Sequence, residues 1–113
     1  MKSAVDLEHL SRYTGGDEAL NAEVLTLFDN QTTELVAKLS DILEARDSKG
    51  WKQITHTLKG AARGIGAFKF ADVAAAAEPI DVTQDHASAS LAISAMKISA
   101  VDVQSFIRTY LGR

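Results

Sequence analysis

His56 lies in a segment where cationic side chains recur at helical spacing. Lys52 precedes it by four residues, and Lys59 and Arg63 follow it by three and seven, so the four side chains would share one face of a helix. Imidazole is a nucleophile, and cations one turn away would stabilise a phosphoryl group attached to it. This face could therefore carry a phosphoryl group. Spacing alone would also fit a solvated basic helix face.

Gly60 adds a second signal on the same face. A glycine within a helix costs about 1 kcal/mol relative to alanine, and Gly60 follows His56 by four residues. On an ideal helix Gly60 turns away from the apolar stripe of this segment. A close helix–helix contact would also explain a glycine, but this orientation favours clearance for another protein that approaches His56. The apolar stripe consists of Trp51, Ile54, Leu58, Ala61 and Ile65.

Other kinds of chemistry find little support. His9 and His86 have no organised cations around them, and the three histidines lack metal-ligand spacing, so we expect no metal site. The chain has no Cys, which excludes a disulfide, a thiolate metal site and a cysteine nucleophile. A net charge of −3 argues against nucleic acid as a partner. An autonomous enzyme would need convergent acid and base groups, which one outward histidine does not supply.

Apolar residues recur at three- and four-residue steps through nearly the whole chain, which predicts an all-α protein. The pattern indicates a short first helix that ends at Thr14-Gly15-Gly16, then a helix of roughly 28 residues capped by Asp17. The third helix runs from about 48 to 64 and the fourth from about 67 to 78. A fifth follows a polar link. We expect an antiparallel up-down four-helix bundle with a short additional N-terminal helix.

The two longest helices carry the largest predicted core faces. The length of the chain suits one compact domain, so we expect residues 1–113 to form a single domain and a monomer. In the second helix the predicted stripe, interrupted near Gln31 and Thr32, consists of Leu20, Val24, Leu27, Phe28, Leu35, Leu39, Ile42 and Leu43. In the fifth helix the residues predicted to reach the core are Leu91, Ala95, Ile98, Val101, Ser105 or Phe106, and Tyr110.

The segment His56-Thr57-Leu58-Lys59-Gly60 resembles the HxLKG signature of histidine-containing phosphotransfer (HPt) domains. The resemblance covers nearly the whole chain and weakens after Pro79. One departure is Ala61, where many members carry Ser. Further similar positions are Trp51, Gly66, Phe68, Ala71 and Glu78, together with the opening stretch from Asp6 to Phe28.

The resemblance implies a role for each residue around the histidine. His56 would be the phosphoacceptor, Lys59 would stabilise the phosphate, and Gly60 would give a receiver domain clearance. Lys52 and Arg63 would help to dock that receiver, although solubilising charge explains them equally well. Glu78 occupies a position where members often have Gln or Glu near the ring, which implies that it orients the ring; the alternative is a solvated residue at a helix end.

The implied partners are receiver domains of response regulators, or of a hybrid sensor histidine kinase, in a multistep phosphorelay. The protein would be a phosphocarrier without a nucleotide or metal site of its own, and Mg²⁺ would be bound by the receiver. The alternative is a helical adaptor that docks receivers without phosphotransfer. The chain has no signal-peptide core and no uninterrupted apolar run of ~20 residues, so we expect a cytoplasmic protein without membrane contact.

Overall fold

The computed structural model of the chain describes residues 3–112, which contain five α-helices and no β-strand. The predicted all-α fold with a short first helix is confirmed. The fourth helix ends one residue earlier than expected, which leaves Glu78 as its C-terminal cap. The helices are α1 (Leu7–Thr14), α2 (Glu18–Glu44), α3 (Ser48–Ile65), α4 (Phe68–Ala77) and α5 (His86–Leu111).

Side-chain caps and glycines set the helix ends. The Asp17 carboxylate accepts the backbone N–H of Leu20 at 3.0 Å and so begins α2, as predicted. Gly66 ends α3 in the left-handed region with φ 85°. A Cβ at Gly66 would lie 2.7 Å from the backbone oxygen of Asp6, so only glycine fits where the N-terminal segment crosses α3.

The four longer helices close a ring in which each packs against two neighbours. α2 contacts α3 and α5, and α4 contacts the same two helices. α3 and α5 therefore lie diagonally opposite each other. The Gln104 amide donates to Asp29 across the α2–α5 interface at 2.9 Å, and Asn21 donates to Tyr110 at 3.5 Å, so the two helices run antiparallel. The predicted up-down bundle is confirmed, with α1 packed on α2 and α3.

Trp51 joins the start of α3 to the end of α4. Its side chain is fully buried and is the largest such group in the core. The indole N–H donates to the backbone oxygen of Ala77 at 2.8 Å, which satisfies both a buried donor and a helix-terminal carbonyl. Because Ala77 is the last residue of α4, this bond fixes the position of Glu78 relative to α3.

The buried face of α2 is rotated relative to the predicted stripe. Leu20 and Leu27 are exposed, so their assignment to the core was wrong. Thr32, taken as an interruption, is in fact buried and continues the stripe. The buried face of α2 includes the polar residues Asn21 and Thr32. A pattern based on hydrophobicity alone therefore predicted the wrong rotation of this helix about its axis. The face that packs inward consists of Asn21, Leu25, Phe28, Thr32, Val36, Leu39 and Leu43.

The prediction for α5 was wrong over most of its length. The first four residues assigned to the core, together with Ser105, are exposed, and Phe106 and Tyr110 are only partly buried. Apolar residues occupy two faces of this helix, so periodicity alone does not decide which of them packs against α2 and α4. The buried residues are Ala89, Ile93, Met96, Ser99, Ala100, Val103 and Ile107.

By length and composition alone, α5 is also apolar enough to cross a membrane. The sequence has no long uninterrupted apolar run, but few charged residues lie between His86 and Leu111. One face of the helix is buried against α2 and α4, as in the core helix of a bundle.

Trp51→Phe should lower the free energy of unfolding by roughly 2–4 kcal/mol, because it leaves a cavity and removes the donor for the Ala77 oxygen. Urea denaturation followed by circular dichroism would measure this. Phe68→Leu is the control, since Phe68 is partly exposed at the start of α4 and should cost much less. Equal stability of Trp51→Phe and the parent would show that the indole hydrogen bond does not hold α4 in place.

Candidate functional site

The outer face of α3 carries His56. Trp51, Ile54, Leu58 and Ile65 are buried as predicted. Ala61 is only partly buried, because the core face is rotated towards α4 and buries Thr55 and Ala62 as well. His56 remains on the opposite side of the helix, with 70% of its side chain exposed.

Glu78 links His56 to Lys59 across the gap between α3 and α4. Its Oε1 lies 3.3 Å from His56 Nδ1, and its Oε2 lies 2.6 Å from Lys59 Nζ. Lys59 and Glu78 are both partly buried, with 20% and 28% of their side chains exposed. Three residues that the sequence assigned to one site therefore meet in the structure.

The charge on Glu78 decides which nitrogen of His56 carries a proton. The hydrogen bond from Lys59 is the main cause that holds the pKa of Glu78 below its ordinary value, and His56 adds to this effect. An ionised carboxylate can only accept hydrogen bonds, so its contact with Nδ1 requires a proton on that nitrogen. In the neutral ring, Nε2 then holds the free lone pair. The arrangement presents a nucleophilic nitrogen on an exposed ring.

The cations of the predicted stripe have different surroundings. Lys59 is engaged by Glu78, whereas Lys52 and Arg63 are exposed and form no ion pair with any residue between 3 and 112. Lys52 lies towards the α4–α5 loop. There it makes a small contribution to the lowered pKa of Asp81, which is due mainly to hydrogen bonds from Thr83. Lys52 and Arg63 can therefore meet a partner on either side of His56.

Gly60 and Gly64 leave a strip of bare backbone beside His56. A Cβ built at either position would meet no atom within 4 Å. Both residues are exposed, so close packing against another helix of the chain does not explain Gly60. The strip is open to an approaching surface.

An apolar groove between α2 and α3 borders this strip. Leu27 is 62% exposed at its edge. The sequence reasoning missed the groove because Leu27 was assigned to the core. Only the correct rotation of α2 about its axis could have revealed the groove, because it places Leu27 next to the buried stripe and not within it. The groove is lined by Val24, Leu27, Phe28, Gln31, Ala61 and Ile65.

The other two histidines have separate environments. His86 Nε2 lies 3.6 Å from the Glu44 carboxylate near the ends of α5 and α2. The ring of His9 packs edge-on against Tyr13 and Phe68. In the part of the chain that the structure describes, no cluster of three or more His, Cys, Asp or Glu side chains is placed to hold a metal ion.

Comparison with known proteins assigns the chain to a family. The family model described as "Hpt domain" matches residues 23–104, which include the whole site. The match covers more than two thirds of the 113-residue chain. No curated protein and no solved structure gives a significant match.

Lys59→Met should raise the pKa of Glu78 towards its ordinary value, since it removes the main cause of the lowering. A ¹³C NMR titration of the Glu78 carboxyl would measure the change. A carboxyl whose pKa is lowered by folding adds stability above its unfolded-state pKa and loses it as pH falls through the folded-state value. Lys59→Met should therefore lose less stability than the parent between pH ~6 and pH ~3.

Lys38→Met is the matched control, because Lys38 pairs with Glu34 on the exposed surface of α2 and should leave Glu78 unaffected. If the pKa of Glu78 were the same in the parent and in Lys59→Met, the ion pair would not persist in solution.

Proposed function

Because the chain belongs to the Hpt domain family, whose members are phosphocarrier modules of two-component phosphorelays, we propose that His56 is its phosphoacceptor. His56 takes a phosphoryl group from the aspartyl phosphate of one receiver domain, in a hybrid kinase or a response regulator, and passes it to another. The observation that carries the proposal is the contact between Glu78 and His56 Nδ1 on a ring that is otherwise exposed.

In the transfer step, the Nε2 lone pair of His56 attacks phosphorus. The N–P bond forms as the bond between phosphorus and the receiver's aspartyl oxygen breaks, and the receiver's carboxylate leaves with that electron pair. The proton on Nδ1 stays in place, so the ring becomes cationic. Glu78 accepts that N–H and neutralises the new positive charge. The reverse reaction returns the group to a receiver.

Lys59 acts on the phosphoryl oxygens in this proposal. An ammonium group has three donors, so Lys59 can keep one hydrogen bond to Glu78 and offer another to the phosphate. Its ion pair with Glu78 holds it near the ring before the phosphoryl group arrives. Gly60 supplies clearance, since nothing projects from the helix one turn after His56.

The partner surface has an apolar and a cationic part. The groove beside Leu27 would bind apolar side chains of a receiver. The glycine strip would let the receiver's backbone come close to His56. Lys52 and Arg63 would steer an acidic receiver face towards the site. The receiver would contribute the acidic pocket and the Mg²⁺, and this chain would need no cofactor. This phosphotransfer between the chain and receiver domains would take place in the cytoplasm.

A helical adaptor that docks receivers without phosphotransfer is the second candidate. The groove and the glycine strip favour it, because both would serve docking whether or not the histidine reacts. The contact between Glu78 and His56 favours transfer, since docking alone does not require an oriented ring. Phosphorylation of the chain separates the two functions.

His56→Gln should abolish acid-labile phosphate on the protein after mixing with a phosphorylated receiver and Mg²⁺. The matched controls are His9→Gln and His86→Gln, which together with His56 account for every histidine in the chain and should accept phosphate like the parent. Phosphate on His56→Gln at the parental level would overturn the proposal. A parent that binds receivers but is never phosphorylated would establish the adaptor function.

Gly60→Ala should slow transfer by about tenfold or more while leaving the fold intact or more stable by roughly 0.5–1 kcal/mol. The added methyl group meets nothing within this chain, so any loss must come from the partner. Gly64→Ala is the control one turn farther from His56, and its effect on transfer should be smaller. Stopped-flow or quench-flow measurement of dephosphorylation of the receiver gives the rates. Parental transfer by Gly60→Ala would remove the clearance role.

A further inference from the structure

The outer face of α5 carries an apolar stripe that nothing within residues 3–112 covers. Leu91, Ile98 and Val101 expose 73%, 68% and 59% of their surfaces. They belong to a row of exposed positions separated by alternating steps of four and three residues. The row consists of Ala87, Leu91, Ser94, Ile98, Val101 and Ser105.

Alternating steps of four and three residues are the heptad pattern by which one helix packs against another. A helix that is buried on one face needs no such row on its solvent face. The small residues Ala87, Ser94 and Ser105 would let the axis of a second helix come close. The sequence analysis assigned Leu91, Ile98 and Val101 to the core, and the structure places them outside.

Charges beside the stripe indicate which helix fits it. Leu91 and Ile98 then occupy position a of a heptad abcdefg, in which positions a and d form the contact row, here called the seam. Lys97 occupies position g, immediately before the seam, and Asp102 occupies position e, immediately after it, five residues farther along. In a parallel pair of helices, these two positions of neighbouring chains face each other and form interhelical ion pairs. Two copies of α5 would therefore make two symmetric Lys97–Asp102 pairs. Both side chains are exposed, and neither is in an ion pair with another residue of the described range.

We propose that the outer face of α5 is a self-association surface at which two copies of the chain pair through parallel α5 helices. Ile98 packs on Ile98 and Leu91 on Leu91 of the second copy, with the Lys97–Asp102 pairs on both sides. Arg108 occupies the next position of the seam after Ser105. There it would face Arg108 of the second copy, and the repulsion between the two positive charges limits the pairing to residues 87–105.

The position of α5 in the bundle keeps this surface away from the histidine. α3 lies diagonally across from α5, so the His56 faces of a pair would point outward, one on each side. The proposal does not depend on phosphotransfer. A dimer would carry two accessible sites without blocking the groove beside Leu27.

Sedimentation equilibrium of the full chain tests the proposal. The parent should associate reversibly, with half-association at roughly 10–100 µM, as expected for a short interface. Ile98→Glu should remain monomeric at every concentration, because it places a charge in the centre of the seam. Leu27→Glu is the control, an exposed apolar residue on another helix, and should associate like the parent. A parent that stays monomeric up to ~1 mM overturns the proposal.

Charge exchange tests the orientation of the two helices. Lys97→Asp and Asp102→Lys should each weaken association by roughly tenfold, because each puts like charges opposite one another. The double variant should restore it to within about threefold of the parent. Association that the double variant fails to restore would overturn the parallel arrangement.

Disulfide cross-linking and vesicle binding give two further tests. The chain has no Cys, so Ile98→Cys should form a disulfide-linked dimer under mild oxidation, whereas Lys38→Cys on α2 should not.

Vesicles of phosphatidylcholine and phosphatidylglycerol test whether a membrane surface, and not a second copy of the chain, covers the apolar face of α5. A parent that is monomeric alone and sediments with these vesicles, while Ile98→Glu does not, would assign the stripe to a membrane surface and overturn self-association.

Discussion

The hydrogen bond from the Trp51 indole to the Ala77 backbone oxygen is the constraint on which the site depends. The histidine is on one helix and the carboxylate that contacts it is at the end of another. Apolar contacts between packed helices are non-directional, whereas a hydrogen bond has a narrow range of distance and angle. Trp51 is five residues before His56 and Ala77 is one residue before Glu78, so this bond in the core, together with the packing of α3 on α4, positions His56 relative to Glu78.

The electrostatics of the site follow from that placement. Helical spacing alone suggested a histidine among cations, and the structure places the Glu78 carboxylate between the histidine and one of those cations. Glu78 is paired with Lys59, so its charge is partly balanced before any phosphate arrives. A carboxylate would repel a phosphoryl group if it faced the phosphate directly. Contact with Nδ1 puts it at the far side of the ring from Nε2, which removes the conflict.

The predictability of the fold differs from helix to helix for a physical reason. Asp17 and Gly15 could be assigned from sequence, because capping and left-handed turns depend on local chemistry. The outward position of His56 could also be predicted, because α3 has one apolar and one charged face. α5 has two apolar faces, and periodicity cannot tell which of them meets the bundle. The contact between His56 and Glu78 joins residues 22 positions apart, and no local pattern fixes such a distance; only the family resemblance suggested it.

The contact between Glu78 and Nδ1 has a consequence for how long a phosphoryl group would stay on this protein. A phosphorylated imidazole is a better leaving group when its other nitrogen keeps its proton, because the ring then departs neutral. A carboxylate fixed against that proton stabilises this protonated form throughout the life of the intermediate. In the proposed function, Glu78 would both prepare the ring for attack and keep the N–P bond easy to break. On the proposed function, the geometry suits brief residence and rapid delivery to the next receiver, not storage.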